Sequence, residues 1–149
     1  MIDDFFKNIF FFVWPVCRMK CKYCLENSTN NYELFDDANI IKLLDIFGKY
    51  KVKKLWLTGG DVTLCPYILD YIGICKKHGI KPFFSTQDGK ALSKLIENLN
   101  DIDIQLSLNG LYEDHDEITC VKGSFIDIEK TVEEINKSKK NIRLSARFI

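Results

Sequence analysis

The sequence predicts an α/β fold, a partial (β/α) barrel of parallel strands, in a chain of 149 residues. Three observations carry that expectation. Short apolar runs alternate with segments whose apolar residues recur at three- and four-residue spacing. Glycine-rich or polar junctions separate the two kinds of segment. The residues best suited to chemistry fall just after the apolar runs, at the carboxyl ends of the strands, where parallel β/α folds gather their ligands.

The elements follow in order. Ile9-Phe10-Phe11-Phe12-Val13-Trp14 reads as a buried first strand, far short of the roughly 20 residues that span a bilayer. A cysteine-rich loop and the polar stretch Asn27 to Asn31 lead to a helix in which Ile40, Leu43, Leu44 and Phe47 share one face, capped by Asp36 and ending near Gly48. Lys54 to Thr58 is a second strand that runs into Gly59-Gly60. Pro66 opens a second helix carrying Leu69, Ile72 and Cys75, closed at His78-Gly79. Lys81 to Ser85 is the third strand, and Leu92, Leu95, Ile96 and Leu99 mark a third helix. Ile102 to Leu108 is the fourth strand. Tyr112 to Glu117 reads as an acidic loop in which His115 either decorates the surface or organises the turn. Ser124 is expected to cap a fourth helix through Phe125, Ile128, Val132 and Ile135. Ile142 to Ile149 is a fifth strand, with Arg143, Ser145 and Arg147 on one face and Ile142, Leu144, Ala146 and Phe148 on the other.

Composition bounds the function. One domain, residues 1–149, is expected, burying about 70% of its unfolded surface. Lys and Arg together number 21, as do Asp and Glu, so no net charge recommends a nucleic acid or an anionic membrane as partner. The start Met1-Ile2-Asp3-Asp4 is acidic where a signal peptide would be basic, which points to a reducing, cytoplasmic setting and to thiols rather than disulfides for the six cysteines.

Val16-Cys17-Arg18-Met19-Lys20-Cys21-Lys22-Tyr23-Cys24 is the most informative segment. Gaps of three and two residues let one short loop offer Cys17, Cys21 and Cys24 to different irons of a 4Fe-4S cluster, leaving one iron without a protein ligand. Arg18, Lys20 and Lys22 are expected to lower the thiol pKa values and to stabilise the reduced cluster, a solvated basic loop being the plain alternative. On the triplet alone, a zinc site completed by a distant His or Cys and a set of reduced structural cysteines remain open. Cys65, Cys75 and Cys120 show no compact ligand pattern.

With an aromatic Tyr23 before the last cysteine, this run resembles the signature of the radical S-adenosylmethionine (radical SAM) superfamily. Thr58-Gly59-Gly60-Asp61 resembles the family's Gly-Gly-Glu motif, whose backbone takes the amino group of SAM; Asp61 and Val62 stand for the usual glutamate and proline. Ile104 to Gly110, with Ser107 and Asn109, resembles the fourth-strand region of the branch that includes peptide maturases and sulfatase-maturing enzymes. Asn109 there replaces an aspartate, and Thr119 stands where arginine is common.

The resemblance implies a 4Fe-4S cluster on the three cysteines, SAM on the open iron, and SAM contacts from Tyr23, Gly59, Gly60, Asp61, Ser107, Asn109 and Arg147. Arg147 would face the SAM carboxylate, for which a guanidinium is a bidentate match. It also implies an external one-electron reductant and an unidentified substrate, a peptide among the candidates; no residue is singled out as a catalytic acid or base. Family barrels usually have six β/α units and about five are expected here. That implies an incomplete core domain, or one completed by a partner or by self-association. The alternatives are an inactive cluster-binding remnant and a zinc-binding structural module.

Overall fold

The computed structural model describes residues 7–24 and 36–148; the polar stretch after the cysteines and Ile149 lie outside them. Five strands form one sheet in the order β1-β2-β3-β4-β5: β1 (Asn8–Trp14), β2 (Lys54–Gly59), β3 (Lys81–Thr86), β4 (Ile102–Leu108) and β5 (Ile142–Phe148). Every neighbouring pair is parallel. The helices are α1 (Asp37–Lys49), α2 (Ile68–Lys77), α3 (Gly89–Ser93), α4 (Glu113–Thr119) and α5 (Ser124–Lys137), so each crossover after β1 is helical, as a parallel connection requires.

Period-2 alternation gives the sheet two unlike faces. Ile9, Phe11 and Val13 of β1, Leu55 and Leu57 of β2, Phe84 of β3 and Ile104 and Leu106 of β4 pack against Ile40 and Leu44 of α1, Ile68 and Ile72 of α2, Leu92 of α3 and Ile128 and Ile135 of α5. This is the core. The opposite face carries Phe10, Trp56, Phe83, Asp103 and Arg143 in one register row. Phe10 and Trp56 lie 4.5 Å apart between ring centroids, and Trp56 and Phe83 4.7 Å. Arg143 clasps Asp103 through two hydrogen bonds, of 2.7 and 3.0 Å.

Most expected elements are present. Asp36 caps α1 by accepting the Ala38 N–H at 3.1 Å, and His78 ends α2, with its Nε2 2.8 Å from Asp45. Three expectations change. The third helix is broken into α3 and a 3-10 turn, Ile96–Asn98, because i,i+3 bonds from Leu95 to Leu92 and from Asn98 to Leu95 tighten the chain. Ser124 is the first residue of α5 rather than its cap; Gly123 occupies that position in the left-handed region. Capping comes instead from Asp116, whose carboxylate accepts from Gly123 N–H, from Ser124 Oγ at 2.9 Å and from Phe125 N–H at 3.0 Å.

The third change is α4 itself, formed by the stretch expected to be an acidic loop. Glu113, Asp114 and Asp116 sit in its first turn, where carboxylates suit the positive end of a helix. His115 and Thr119, four residues apart and both wholly buried, form its inward stripe.

Candidate cluster and cofactor site

Four loops meet at the carboxyl ends of the strands. The cysteine loop leaves β1, Gly60-Asp61 leaves β2, Gln87-Asp88 leaves β3 and Asn109-Gly110 leaves β4. Cys17, Cys21 and Cys24 are all free and half-buried. Between them Met19 is 1% exposed, an apolar peg that pins the loop to the protein. Two backbone bonds, Lys20 N–H to Thr119 O and Lys22 N–H to Ile118 O, each 3.0 Å, tie the loop to the last carbonyls of α4.

Two glycines bring β2 against this loop. A Cβ on Gly59 would stand 1.9 Å from the Trp14 carbonyl oxygen, and one on Gly60 2.6 Å from that of Val16. Gly59 also has φ +144°, a region L side chains rarely adopt. The sheet needs both glycines so that Gly60 N–H can reach Trp14 O at 2.7 Å and Asp61 N–H can reach Val16 O at 2.9 Å. Their local role is close packing of two segments of the chain, the ends of β1 and β2, beyond any role in approach to a ligand.

Asp61 is turned inward. It is 2% exposed; one carboxylate oxygen accepts from Thr63 N–H at 3.0 Å and Thr63 Oγ1 at 2.6 Å, the other from Thr86 Oγ1 at 2.6 Å. Burial pushes its carboxyl up to about 6, against the pull of the Thr63 and Thr86 hydroxyls. Thr86 Oγ1 accepts the Asp88 N–H at 3.0 Å, and Asp88, wholly buried, receives Arg18 through bonds of 2.8 and 2.6 Å. A chain of polar contacts thus runs from Arg18, between two of the cysteines, beneath the ends of β3 and β2.

The expected lowering of the thiol pKa is reversed at Cys17 and Cys21. Arg18 turns to Asp88 and Lys22 to Glu117, 2.5 Å away. Burial, with Asp61 next, pushes the Cys17 thiol up to about 12. Cys21 is also raised, burial outweighing the opposing hydrogen bond from Gln87.

A second chain of contacts crosses the site. Gln87 Nε2 donates to Cys21 Sγ at 2.6 Å, short for a bond to sulfur, and Gln87 Oε1 accepts from Asn109 Nδ2 at 2.9 Å. Asn109 Oδ1 accepts from Tyr23 OH at 2.6 Å, and Asn109 N–H donates to His115 Nδ1 at 3.1 Å. Tyr23 and Asn109, two expected cofactor contacts, are therefore in touch with each other. Burial pushes the Tyr23 phenol up, against the pull of its hydrogen bond to Asn109. Ser107 and Arg147 are register partners on β4 and β5.

His115 organises the turn rather than decorating the surface, and burial holds its imidazole below the usual range. Thr119 is buried beside Ser124, 2.9 Å between hydroxyls. Cys65 and Cys75 are buried, pushed up by burial to about 11 and about 12; Cys120 is exposed. Among the described residues no group of three His, Cys, Asp or Glu side chains is placed to hold a single metal ion. None of the described helices is long and apolar enough to cross a membrane.

Three thiols on one loop thus lie beside two glycine-bearing loops at the carboxyl ends of the strands. A sequence model of the radical SAM superfamily matches residues 11–146. The chain belongs to that superfamily. Radical SAM proteins are enzymes that use a 4Fe-4S cluster and S-adenosylmethionine. An S-adenosylmethionine-dependent nucleotide dehydratase of Flammeovirga pacifica is 25% identical over 118 residues, covering 73% of this chain and 40% of that protein. A probable GTP 3',8-cyclase of Sulfurisphaera tokodaii is 29% identical over 128 residues, covering 83% and 40%. The crystal structure of Streptococcus suis SuiB bound to S-adenosylmethionine superposes with a TM-score of 0.74 at 19% identity, over 95% of this chain and 34% of SuiB. The radical SAM chain thus spans two fifths or less of these three proteins, and the SuiB likeness establishes the α/β partial-barrel fold.

Proposed function

We propose that residues 1–149 form a radical SAM core in which Cys17, Cys21 and Cys24 hold three irons of a 4Fe-4S cluster and leave the fourth to SAM. The observation that carries this reading is the free, half-buried thiol triplet on a loop held in place by β2, β3 and α4. The fit is one of donor chemistry: the set is all sulfur, as iron-sulfur clusters demand.

Held by Cys17, Cys21 and Cys24, the cluster would supply the one electron that cleaves SAM reductively to methionine and the 5'-deoxyadenosyl group, which would take hydrogen from the substrate. The chain's own part is to hold and orient. Gly59 and Gly60 offer backbone to the SAM amino group, Arg147 offers a guanidinium to its carboxylate, and Ser107, Asn109 and Tyr23 line the cofactor from β4 and the cysteine loop. Asp61 acts from below, fixing the Gly-Gly loop through Thr63 and Thr86. An external reductant supplies the electron, in a cytoplasmic setting.

For the substrate, a peptide is the first reading, since SuiB, which shares the fold, has been solved with its precursor peptide SuiA. A nucleotide is the second, favoured by the sequence relatives, a nucleotide dehydratase and GTP 3',8-cyclases.

The test is anaerobic reconstitution with iron and sulfide, then reduction in the presence of SAM. Formation of 5'-deoxyadenosine supports the enzyme. A cluster without SAM cleavage supports the inactive remnant, and stoichiometric zinc without iron supports the structural module. Cys21→Ser is expected to abolish SAM cleavage; cleavage retained in that variant refutes the ligand assignment.

A further inference from the structure

We propose that Gln87 is a positioning residue that sets the reduction potential of the cluster by donating a hydrogen bond to the sulfur of Cys21. The inference rests on the cluster reading above, and deepens it.

The argument is one of donor and acceptor bookkeeping. An iron-bound cysteine is a thiolate and can only accept. Gln87 reaches Cys21 Sγ with its amide and must therefore present nitrogen, leaving Oε1 to face the other way. There it meets Asn109, which can answer only with Nδ2; Asn109 Oδ1 then faces Tyr23, whose hydroxyl must donate. The thiolate at one end thus fixes the orientation of both amides and the phenol. Asn109 is held independently through its backbone N–H on the buried His115. Gln87 is half-buried and Asn109 only 2% exposed, so the donor is fixed from behind by a group that solvent barely reaches.

Hydrogen bonds to cluster sulfurs are among the protein's main means of setting potential. A donor withdraws electron density from the sulfur and favours the reduced, more negative cluster, so Gln87 raises the potential. The residue is also linked through Asn109 to Tyr23, so a ligand that engages either one acts on the same sulfur.

The experiment compares wild type with Gln87→Met and with the isosteric Gln87→Glu, each reconstituted anaerobically. Three properties are measured: iron and sulfide per chain, the midpoint potential by dye-mediated titration, and exchangeable-proton hyperfine couplings by pulsed EPR of the reduced cluster. Both variants are expected to take up wild-type iron, to show a midpoint shifted to more negative potential, and to lose one exchangeable-proton coupling. Two variants guard against either one failing to fold. A midpoint and couplings equal to wild type in a folded, loaded variant overturn the proposal. So does a folded variant that takes up no iron, since Gln87 would then serve assembly. Wild type that assembles no cluster overturns the cluster reading itself and this inference with it, an outcome the iron assay separates from the others.

Discussion

Replacing Arg18 by methionine should loosen the cysteine loop from the body of the protein. Arg18 is 37% exposed in its side chain, whereas Asp88, its partner, is wholly buried. Breaking a fully buried ion pair from one side costs about 3 to 5 kcal/mol, most of it the penalty of a stranded charge. Two features reduce that here. Asp88 keeps the Ala91 N–H at 3.0 Å as a second partner, and the half-open arginine position admits water to the carboxylate. About 2 kcal/mol is therefore expected, which for a chain of this size is a fall in melting temperature of about 4 to 8 °C. The assay is thermal and urea unfolding of the metal-free chain under reducing conditions at pH 7, for Arg18→Met, Asp88→Asn and the double variant. The cycle should show a coupling energy of about 1 to 2 kcal/mol. A single variant that melts within 1 °C of wild type, or a strictly additive double, would refute the reasoning that this pair anchors the loop.

Two further outcomes are expected. Gly59→Ala sets a methyl against the Trp14 carbonyl at a backbone angle that alanine resists, so it should cost more than about 4 kcal/mol; far-UV circular dichroism and melting would show a largely unfolded chain, and a melt near that of wild type would contradict the packing described. His115 is held neutral by burial, with its folded pKa below the unfolded value of 6.5. Its contribution is therefore fully present above pH 6.5 and is lost as pH falls through the folded value, because the unfolded chain binds the proton first. Urea unfolding between pH 7.5 and 5 should show wild type losing stability relative to His115→Gln as pH falls; Asp61, whose buried carboxyl is pushed up to about 6, acts in the opposite direction but alike in both proteins. Asp116 does not confuse that window: burial alone would raise its carboxyl, but the Phe125 and Gly123 N–H groups and the Ser124 hydroxyl hold it below 3.8, so its stabilisation is lost only at more acid pH.

How far the fold could be read in advance depended on what each element buries. The strands announce themselves because Ile9, Leu55, Phe84, Ile104 and Leu144 are apolar and face one core. Helix α4 did not, because its buried stripe is His115 and Thr119, polar residues whose partners, the Asn109 N–H and the Ser124 hydroxyl, lie outside the helix. The same holds for the site. Three cysteines at close spacing are legible from their own neighbours, but Gln87 earns its place only through Cys21, 66 residues before it, and Asn109, 22 after. Asp61 was visible as a motif residue, yet its direction was not: Thr86, 25 residues on, turns it inward. The charges of Arg18 and Lys22 misled for a related reason, since carboxylates 70 and 95 residues away claim them.

Those long separations bear on the order of events in the cell. The cysteines are synthesised early, but the groups that hold their loop come 70, 86 and 95 residues later, at Asp88, Asn109 and Glu117. Until α4 has left the ribosome, Lys20 and Lys22 have no carbonyls to bind, and the later half of the cysteine loop lacks its anchor. Metal delivery to a shaped loop must therefore wait for nearly the whole of this chain. In the interval the nascent thiols depend on the reducing power of their surroundings, not on the fold, for protection.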